Sequence, residues 1–309
     1  MLNTNRYPAT SFVDIRSVNH NETSYYGLTV RHPCRDTVNI PHNIHEQYPD
    51  HSSLINDFQA YLESDDLYIC YQPLIDLKTG NVTSVEALTR WHHKLAGPIS
   101  PDIFIPLAEQ TGHIHALTNR VLNHTLQRLY AWRQDGINID LAVNLSMFNL
   151  HDEGFPFQVS RLLDKWSIIP DQLILEITEG VLMYEPKLAI SVLEKLHDLG
   201  IKLALDDFGA GYSSLSYLAS MPISELKIDR SLVVDIDKNS KNAMIVRSTI
   251  ELAQKLGMKI VAEGVEDMVV CNMLKEYGCD FGQGYFFGKP VDEFKFNSWI
   301  METGRITYN

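Results

Sequence analysis

The sequence predicts an α/β fold, a (βα)8 TIM-like barrel whose first strand runs antiparallel to the rest. Three observations lead there. Apolar β-like runs alternate with amphipathic helical patterns over most of the chain, as in a parallel sheet covered by helices. The first two runs are separated only by Lys78-Thr-Gly-Asn81, too short for the crossover that a parallel pair needs. Polar side chains stand at or near the C-terminal ends of successive runs: Glu86, Asn144, Glu176, Asp206 with Asp207, Lys227, Glu263 and Gln283. A barrel gathers those ends into one mouth, where its active sites lie.

Residues 1–51 stand apart from the rest, rich in Asn, His, Pro and Tyr without a sustained period. They are expected to form an arm that packs on the barrel or is partly disordered. Short β-like runs occur at Phe12-Val-Asp-Ile and Tyr25-Tyr-Gly-Leu-Thr-Val. Of the histidines there, only His42 and His45 are closely spaced, and no Cys or carboxylate completes a zinc pattern.

The regular part, 52–309, opens with a capped amphipathic helix from Ser52 that puts Leu54, Phe58 and Leu62 on one face. Strands 68–77 and 82–91 form the hairpin. Helix 115–134, strand 139–145, helix 156–166, strand 173–178, helix 186–199 and strand 202–207 follow. A short helix near 213–219, strand 224–229, helix 242–256, strand 259–263, helix 267–277, strand 281–287 and helix 292–303 complete the series. Eight strands permit closure.

Composition excludes several functions. A net charge of −13 argues against binding DNA or RNA polymers, which take a basic face. It leaves room for a small anion, because divalent ions invert the field locally. The apolar runs fall far short of the ~18 residues of a membrane span. The first residues lack the basic and apolar regions of a secretory signal. Cys34, Cys70, Cys271 and Cys279 have neither zinc nor redox spacing and read as reduced thiols, so the cytoplasm is the expected compartment.

The strand-end residues suit a metal site acting on phosphate. Mg²⁺ and Mn²⁺ prefer oxygen ligands in octahedral geometry. Glu86, Asn144, Glu176 and Asp206 offer four such ligands to one ion, and Asp207 points to a second ion with Asp206 bridging. Two ions ~3.5–4 Å apart clamp the attacking and leaving oxygens of an in-line displacement. Lys227 neutralises charge on the phosphorane or holds the attacking water. Glu263 ligates the second ion or accepts a proton, and Gln283 orients a water or phosphate oxygen. Each residue taken singly also reads as a helix cap or a surface group. Their recurrence at matching strand ends favours the joint reading.

The motifs in order are Tyr71-Gln-Pro, Glu86-Ala-Leu-Thr-Arg-Trp, Asn144-Leu-Ser, Leu175-Glu-Ile-Thr-Glu, Asp206-Asp-Phe-Gly-Ala-Gly-Tyr-Ser-Ser-Leu, Leu226-Lys-Ile-Asp-Arg, Ala262-Glu-Gly-Val-Glu and Gln283-Gly-Tyr-Phe-Phe-Gly-Lys-Pro. Together, over about residues 54–304, they resemble the EAL-domain cyclic di-GMP phosphodiesterases of bacteria. The resemblance implies hydrolysis of cyclic di-GMP to linear pGpG with two Mg²⁺ or Mn²⁺ ions, and a homodimer. It implies the metal ligands Glu86, Asn144, Glu176, Asp206, Asp207 and Glu263, with Lys227, Glu263 and Gln283 handling the attacking water. It further implies that Glu179 braces the loop after Asp207 and that Gln72 and Arg90 contact the nucleotide, with Glu86 at the substrate too. Asp229 reads equally as a substrate contact and as a strand-end cap. Thr89 departs from the apolar residue of many relatives, and no Gly-Gly-Asp-Glu-Phe cyclase motif occurs. The rival class is a silent EAL-type receptor or scaffold. Such relatives usually lack a ligand or the loop, and both are complete here.

Overall fold

The order in which the strands hydrogen-bond fixes where every candidate side chain lies. The computed structural model describes residues 13–18, 25–30, 51–64, 68–178, 180, 185–210 and 218–303. Strands β1 (Val13–Val18) and β2 (Tyr25–Val30) pair antiparallel, at the two β-like runs of the N-terminal stretch. Helix α1 (His51–Glu63) leads to β3 (Tyr68–Asp76) and β4 (Val82–His93), the expected antiparallel hairpin. A short β5 (Gly97–Ile99), α2 (Pro101–Gln110) and α3 (Ile114–Gln134) follow. Next come β6 (Asp140–Asn144), the one-turn α4 (Met147–Leu150), α5 (Phe155–Trp166), β7 (Leu173–Thr178) and α6 (Pro186–Asp198). The chain continues through β8 (Lys202–Phe208), β9 (Glu225–Ile228), the short α7 (Arg230–Val233), α8 (Ser240–Lys255) and β10 (Lys259–Ala262). It closes with α9 (Met268–Tyr277), β11 (Phe281–Gly282), β12 (Val291–Asp292) and α10 (Glu293–Thr303).

Strands β3, β4, β6, β7, β8, β9, β10 and β11 form a closed ring, completed by the β3–β4 and β3–β11 pairings. Strand β3 is antiparallel to both neighbours, and the other seven run parallel to one another. A parallel sheet with helices outside is buried on both faces, which is why its strands read as near-continuous apolar runs. Leu141, Val143, Leu173, Leu175, Leu203, Leu205, Leu226 and Ile228 pack outward with Leu122, Leu126, Val192 and Val246 of the helices. Tyr71, Trp132 and Phe296 join as an aromatic cluster where β3, α3 and α10 meet, with ring centroids 5.1–5.9 Å apart. Polar caps set helix starts, such as Asn239 for α8 and Asp267 for α9, whose side chains accept from first-turn amides.

The structure corrects two readings. The strand expected over 281–287 ends at Gly282. The chain then folds against Val265: Val265 N donates to Gln283 O and Phe286 N donates to Val265 O, both at 3.0 Å. A Cβ on Gly284 would lie 2.2 Å from the Val265 carbonyl oxygen, so this close approach needs glycine. β5 and α2 occupy a stretch to which no element was assigned. Pro101 sits in the first turn of α2, where its missing N–H costs nothing, and Pro106 lies within the helix. The short helix expected at 213–219 falls almost wholly outside the described residues. No described helix is long and apolar enough to cross a membrane.

Candidate active site

Side chains two apart on a strand share a face. Asn144 therefore follows Ala142, Glu176 follows Ile174 and Asp206 follows Ala204, each one step nearer the mouth. Those three apolar side chains form a small cluster of their own, separate from the main core. Register carries the same level round the ring: Glu86 lies opposite Gln72 on one side and Ala142 on the other, and Lys227 opposite Val261. Glu263 and Gln283 come directly after β10 and β11.

Lys227 lies among the carboxylates. Its side chain is 1% exposed, with Nζ 2.8 Å from Glu263 Oε1, 3.0 Å from Glu176 Oε2, 3.2 Å from Asp206 Oδ1 and 3.7 Å from Glu86 Oε2. Burying an ammonium costs several kcal/mol. A carboxylate ~4 Å away returns about 4 kcal/mol at an effective dielectric near 20. With four of them, attraction wins. Burial opposes the charge, but Asp206, Glu176, Glu263 and Glu86 raise the lysine pKa well above its ordinary value. The carboxylates divide. Burial and the Glu86 charge push Glu176 well up, and burial raises Glu263 to about 7 against the pull of Lys227. Burial acts on Glu86 as well, but Lys227 and the donors Gln283 and Asn144 outweigh it and hold its carboxyl below the usual range. Those amides are close: Asn144 Nδ2 donates to Glu86 Oε1 at 2.6 Å and Gln283 Nε2 to Glu86 Oε2 at 2.7 Å. Gln283 Nε2 also lies 3.3 Å from Gln72 Oε1, and Gln72 Nε2 donates to Gly288 O.

Adjacent residues of a regular strand face opposite ways, so Asp206 and Asp207 reach one site only if the strand is irregular. It is. Leu205 pairs with Leu226 and Phe208 with Ile228, three steps on β8 against two on β9, a β-bulge. Asp207 takes the left-handed conformation, φ 55°, and its N–H donates to Asp206 Oδ1 at 2.9 Å. As a result Asp206, Asp207 and Glu263 each offer an oxygen within 4.8 Å of the others. Burial, then the Asp206 and Asp229 charges, raise Asp207 to about 6.

This donor set fits divalent metal ions. Its atoms are hard oxygens: Glu86, Glu176, Asp206 and Glu263 surround the Lys227 ammonium, and Asp207 adds a carboxylate beside Asp206 and Glu263. Glu176 Oε2 is buried and meets the Lys227 ammonium at 3.0 Å, so the oxygen already sits against positive charge. The acidic cluster can therefore hold a metal.

Two clefts meet this cluster. One, of about 270 Å³, is lined by Gln72, Glu86, Asp206, Glu263 and Gln283, and also by Arg230, Glu266 and Tyr285. The other, of about 610 Å³, lies between β4, α2, α3 and β6, and includes Arg90, Glu109, Asn144 and Ser146. Gln72 and Arg90 thus stand in different clefts. Asp229 lines neither; its carboxylate caps α7 by accepting from Ser231 N at 3.0 Å. Glu179 lies outside the described residues, as do residues 211–217 of the loop after Asp207. The sequence reading passed over Arg230 and Glu266, paired at 2.6 Å on the cleft wall. Their signal was membership in the motifs, since Arg230 closes Leu226-Lys-Ile-Asp-Arg and Glu266 closes Ala262-Glu-Gly-Val-Glu.

Residues 55–290 match the family described as EAL domain. Cyclic di-GMP phosphodiesterase PA2567 of Pseudomonas aeruginosa is 38% identical over 242 residues, 78% of this chain and 41% of that protein. Cyclic di-GMP phosphodiesterase NbdA of the same organism is 40% identical over 236 residues, 76% of this chain and 30% of its own length. The chain thus spans less than half the length of these relatives. Among solved structures, the PaMucR phosphodiesterase in its c-di-GMP complex aligns with a TM-score of 0.75 at 38% identity, covering 79% of this chain and 99% of that one. The EAL enzyme Bd1971, bound to cAMP and cyclic di-GMP, aligns at 0.77 and 31% identity, covering 84% and 70%.

Proposed function

This chain belongs to the EAL domain family, and on that premise we propose that it hydrolyses one phosphodiester of cyclic di-GMP to linear pGpG. The observation that carries the reading is the oxygen-donor cluster around buried Lys227 at the barrel mouth. Two Mg²⁺ or Mn²⁺ ions, when bound, supply charge against the phosphate and acidify a water. Glu86, Asn144, Glu176 and Asp206 are the ligands of one ion, and Asp206, Asp207 and Glu263 serve the other.

The remaining roles follow from charge and position. Lys227 is held as an ammonium by its carboxylates, which suits it to balance phosphate charge and not to accept a proton. Glu263, beside Asp206 and Asp207 and 2.8 Å from Lys227, is placed to take the proton of the attacking water. Gln283 bonds Glu86 and reaches Gln72, which supports its orienting a water or a phosphate oxygen between them. Gln72 and Arg90 line separate clefts beside the cluster, one for each half of a dinucleotide. Asp229 contributes through its charge on Asp207. The proposed setting is cytoplasmic and the proposed assembly a homodimer, with Glu179 bracing the loop after Asp207.

The test is incubation with cyclic di-GMP and Mg²⁺ or Mn²⁺. Stoichiometric pGpG is the expected result. Binding without cleavage would replace the enzyme by a receptor, and no binding would remove the substrate assignment.

A further inference from the structure

Asn144 lies at the exposed end of β6, where a lone side chain on a turn is free to change rotamer. Here the turn is pinned from several sides. Leu145 N donates to Glu176 O at 2.8 Å, tying it to β7. Ser146 Oγ donates to Glu109 Oε1 at 2.6 Å, and Glu109 sits in the last turn of α2. Ser146 N donates to Asn149 Oδ1 at 3.1 Å, and that buried oxygen also accepts from Thr118 Oγ1 of α3 at 3.1 Å. Helix α2 is itself anchored through buried Phe104, Leu107 and Ala108.

Glu109 forms no ion pair among the described residues, although it is a carboxylate beside the larger cleft. Its contact is with a serine hydroxyl, at a length typical of a charge-assisted hydrogen bond. The Ser146 hydroxyl has a second use, accepting from Phe148 N at 3.3 Å as the cap of α4. One hydroxyl thus joins α2 to the start of α4, and the backbone between them carries Asn144.

We propose that Glu109 is a positioning residue for Asn144: through Ser146 it fixes the turn that aims the Asn144 amide oxygen at the metal site. The proposal rests on the reading of Asn144 as a metal ligand. With Nδ2 committed to Glu86, the amide oxygen is the atom left to face a cation. Partners that orient a metal ligand are typically worth about 10–100-fold in metal affinity or activity. A mere cap for a four-residue helix is worth stability alone, about 1 kcal/mol.

The experiment titrates Mn²⁺ into the full chain without substrate, by calorimetry, and records thermal unfolding of each variant in chelator. Glu109→Ala and Ser146→Ala should each weaken Mn²⁺ binding by about 10-fold. Glu109→Gln retains an acceptor oxygen for Ser146 and should stay within about 3-fold of the parent. The double alanine variant should be no weaker than either single one, since both remove the same contact. Should Glu109→Ala fail to fold, Ser146→Ala removes that contact from the other side. Lower thermal stability with unchanged Mn²⁺ affinity would overturn the proposal, as would a glutamine variant as weak as the alanine one. Asn144→Ala separates the two levels of the argument. If it weakens Mn²⁺ binding while Glu109→Ala and Ser146→Ala do not, only the positioning role falls. If it leaves binding unchanged, the ligand reading falls with it.

Discussion

Replacing Lys227 by methionine keeps most of the side-chain volume and removes the ammonium from among Glu86, Glu176, Asp206 and Glu263. All four carboxylates lie within 3.7 Å of Nζ. Taking one partner from a buried ion cluster typically costs about 3–5 kcal/mol. For a chain this long that lowers the midpoint of thermal unfolding by roughly 5–8 °C. The loss should depend on pH. Without Lys227 burial is left unopposed at Glu86, and Glu176 and Glu263, already raised, rise further, so the native state binds protons that the unfolded chain has released. A raised carboxylate costs stability above its folded pKa, and the cost disappears as pH falls to the unfolded value. The gap between variant and parent should therefore be widest near pH 8 and shrink toward pH 5. Mn²⁺ should close part of it at pH 8 by replacing the missing charge. The assay is unfolding followed by circular dichroism in chelator and in Mn²⁺ across that range. Equal midpoints for variant and parent in chelator, or a gap that does not change with pH, would refute the electrostatic argument.

Glu86→Ala and Asn144→Ala should each abolish pGpG production, by at least about 100-fold, with an unchanged circular dichroism spectrum; undiminished turnover would contradict the ligand assignment. Mn²⁺ and Mg²⁺ should support turnover and Ca²⁺ should inhibit it, because calcium takes roughly 6–8 ligands at about 2.3–2.6 Å; turnover in Ca²⁺ alone is the contrary result. At the opposite end of the barrel, burial raises the Glu225 carboxyl despite the attraction of Lys202. Glu225→Gln should leave stability unchanged below pH 4.5 and increase it as pH rises through the raised pKa, as urea unfolding at pH 4.5 and 8 would record. Gly284→Ala should destabilise the chain, since its Cβ would lie 2.2 Å from the Val265 carbonyl oxygen; an unchanged unfolding midpoint would show that the turn yields.

The ring of strands was legible because a buried parallel strand carries its polar residue at or near its C-terminal end, as Asn144, Glu176 and Lys227 do. The hairpin was legible from the short link before Val82. What the sequence did not carry was the irregular backbone. Asp206 and Asp207 were both assigned to the site, but nothing in their order announces the bulge that turns the second toward the first. The turn after Gly282 reads as more strand, because Tyr285, Phe286 and Phe287 are all β-formers and the reason for Gly284 is a contact with a distant residue. Likewise Lys227 was given a role toward the phosphorane or the attacking water, with nothing said of its neighbours. Its hold on four carboxylates exists only once strands from remote parts of the chain stand side by side.

Reversal of the first strand changes where the chain enters the barrel. In an all-parallel barrel the chain enters at the end remote from the active site. Here β3 runs the other way: Tyr68 pairs with Arg90 beside the mouth, and Asp76 pairs with Phe281 farther down. Helix α1 therefore arrives on the catalytic side, and the Tyr61 hydroxyl donates to the carbonyl of Arg90 at 2.8 Å, a residue of the larger cleft. Helix α1 is thus joined to the rim of the larger cleft. A rotation or tug on that helix acts on a cleft residue through one hydrogen bond, with no need to cross the barrel.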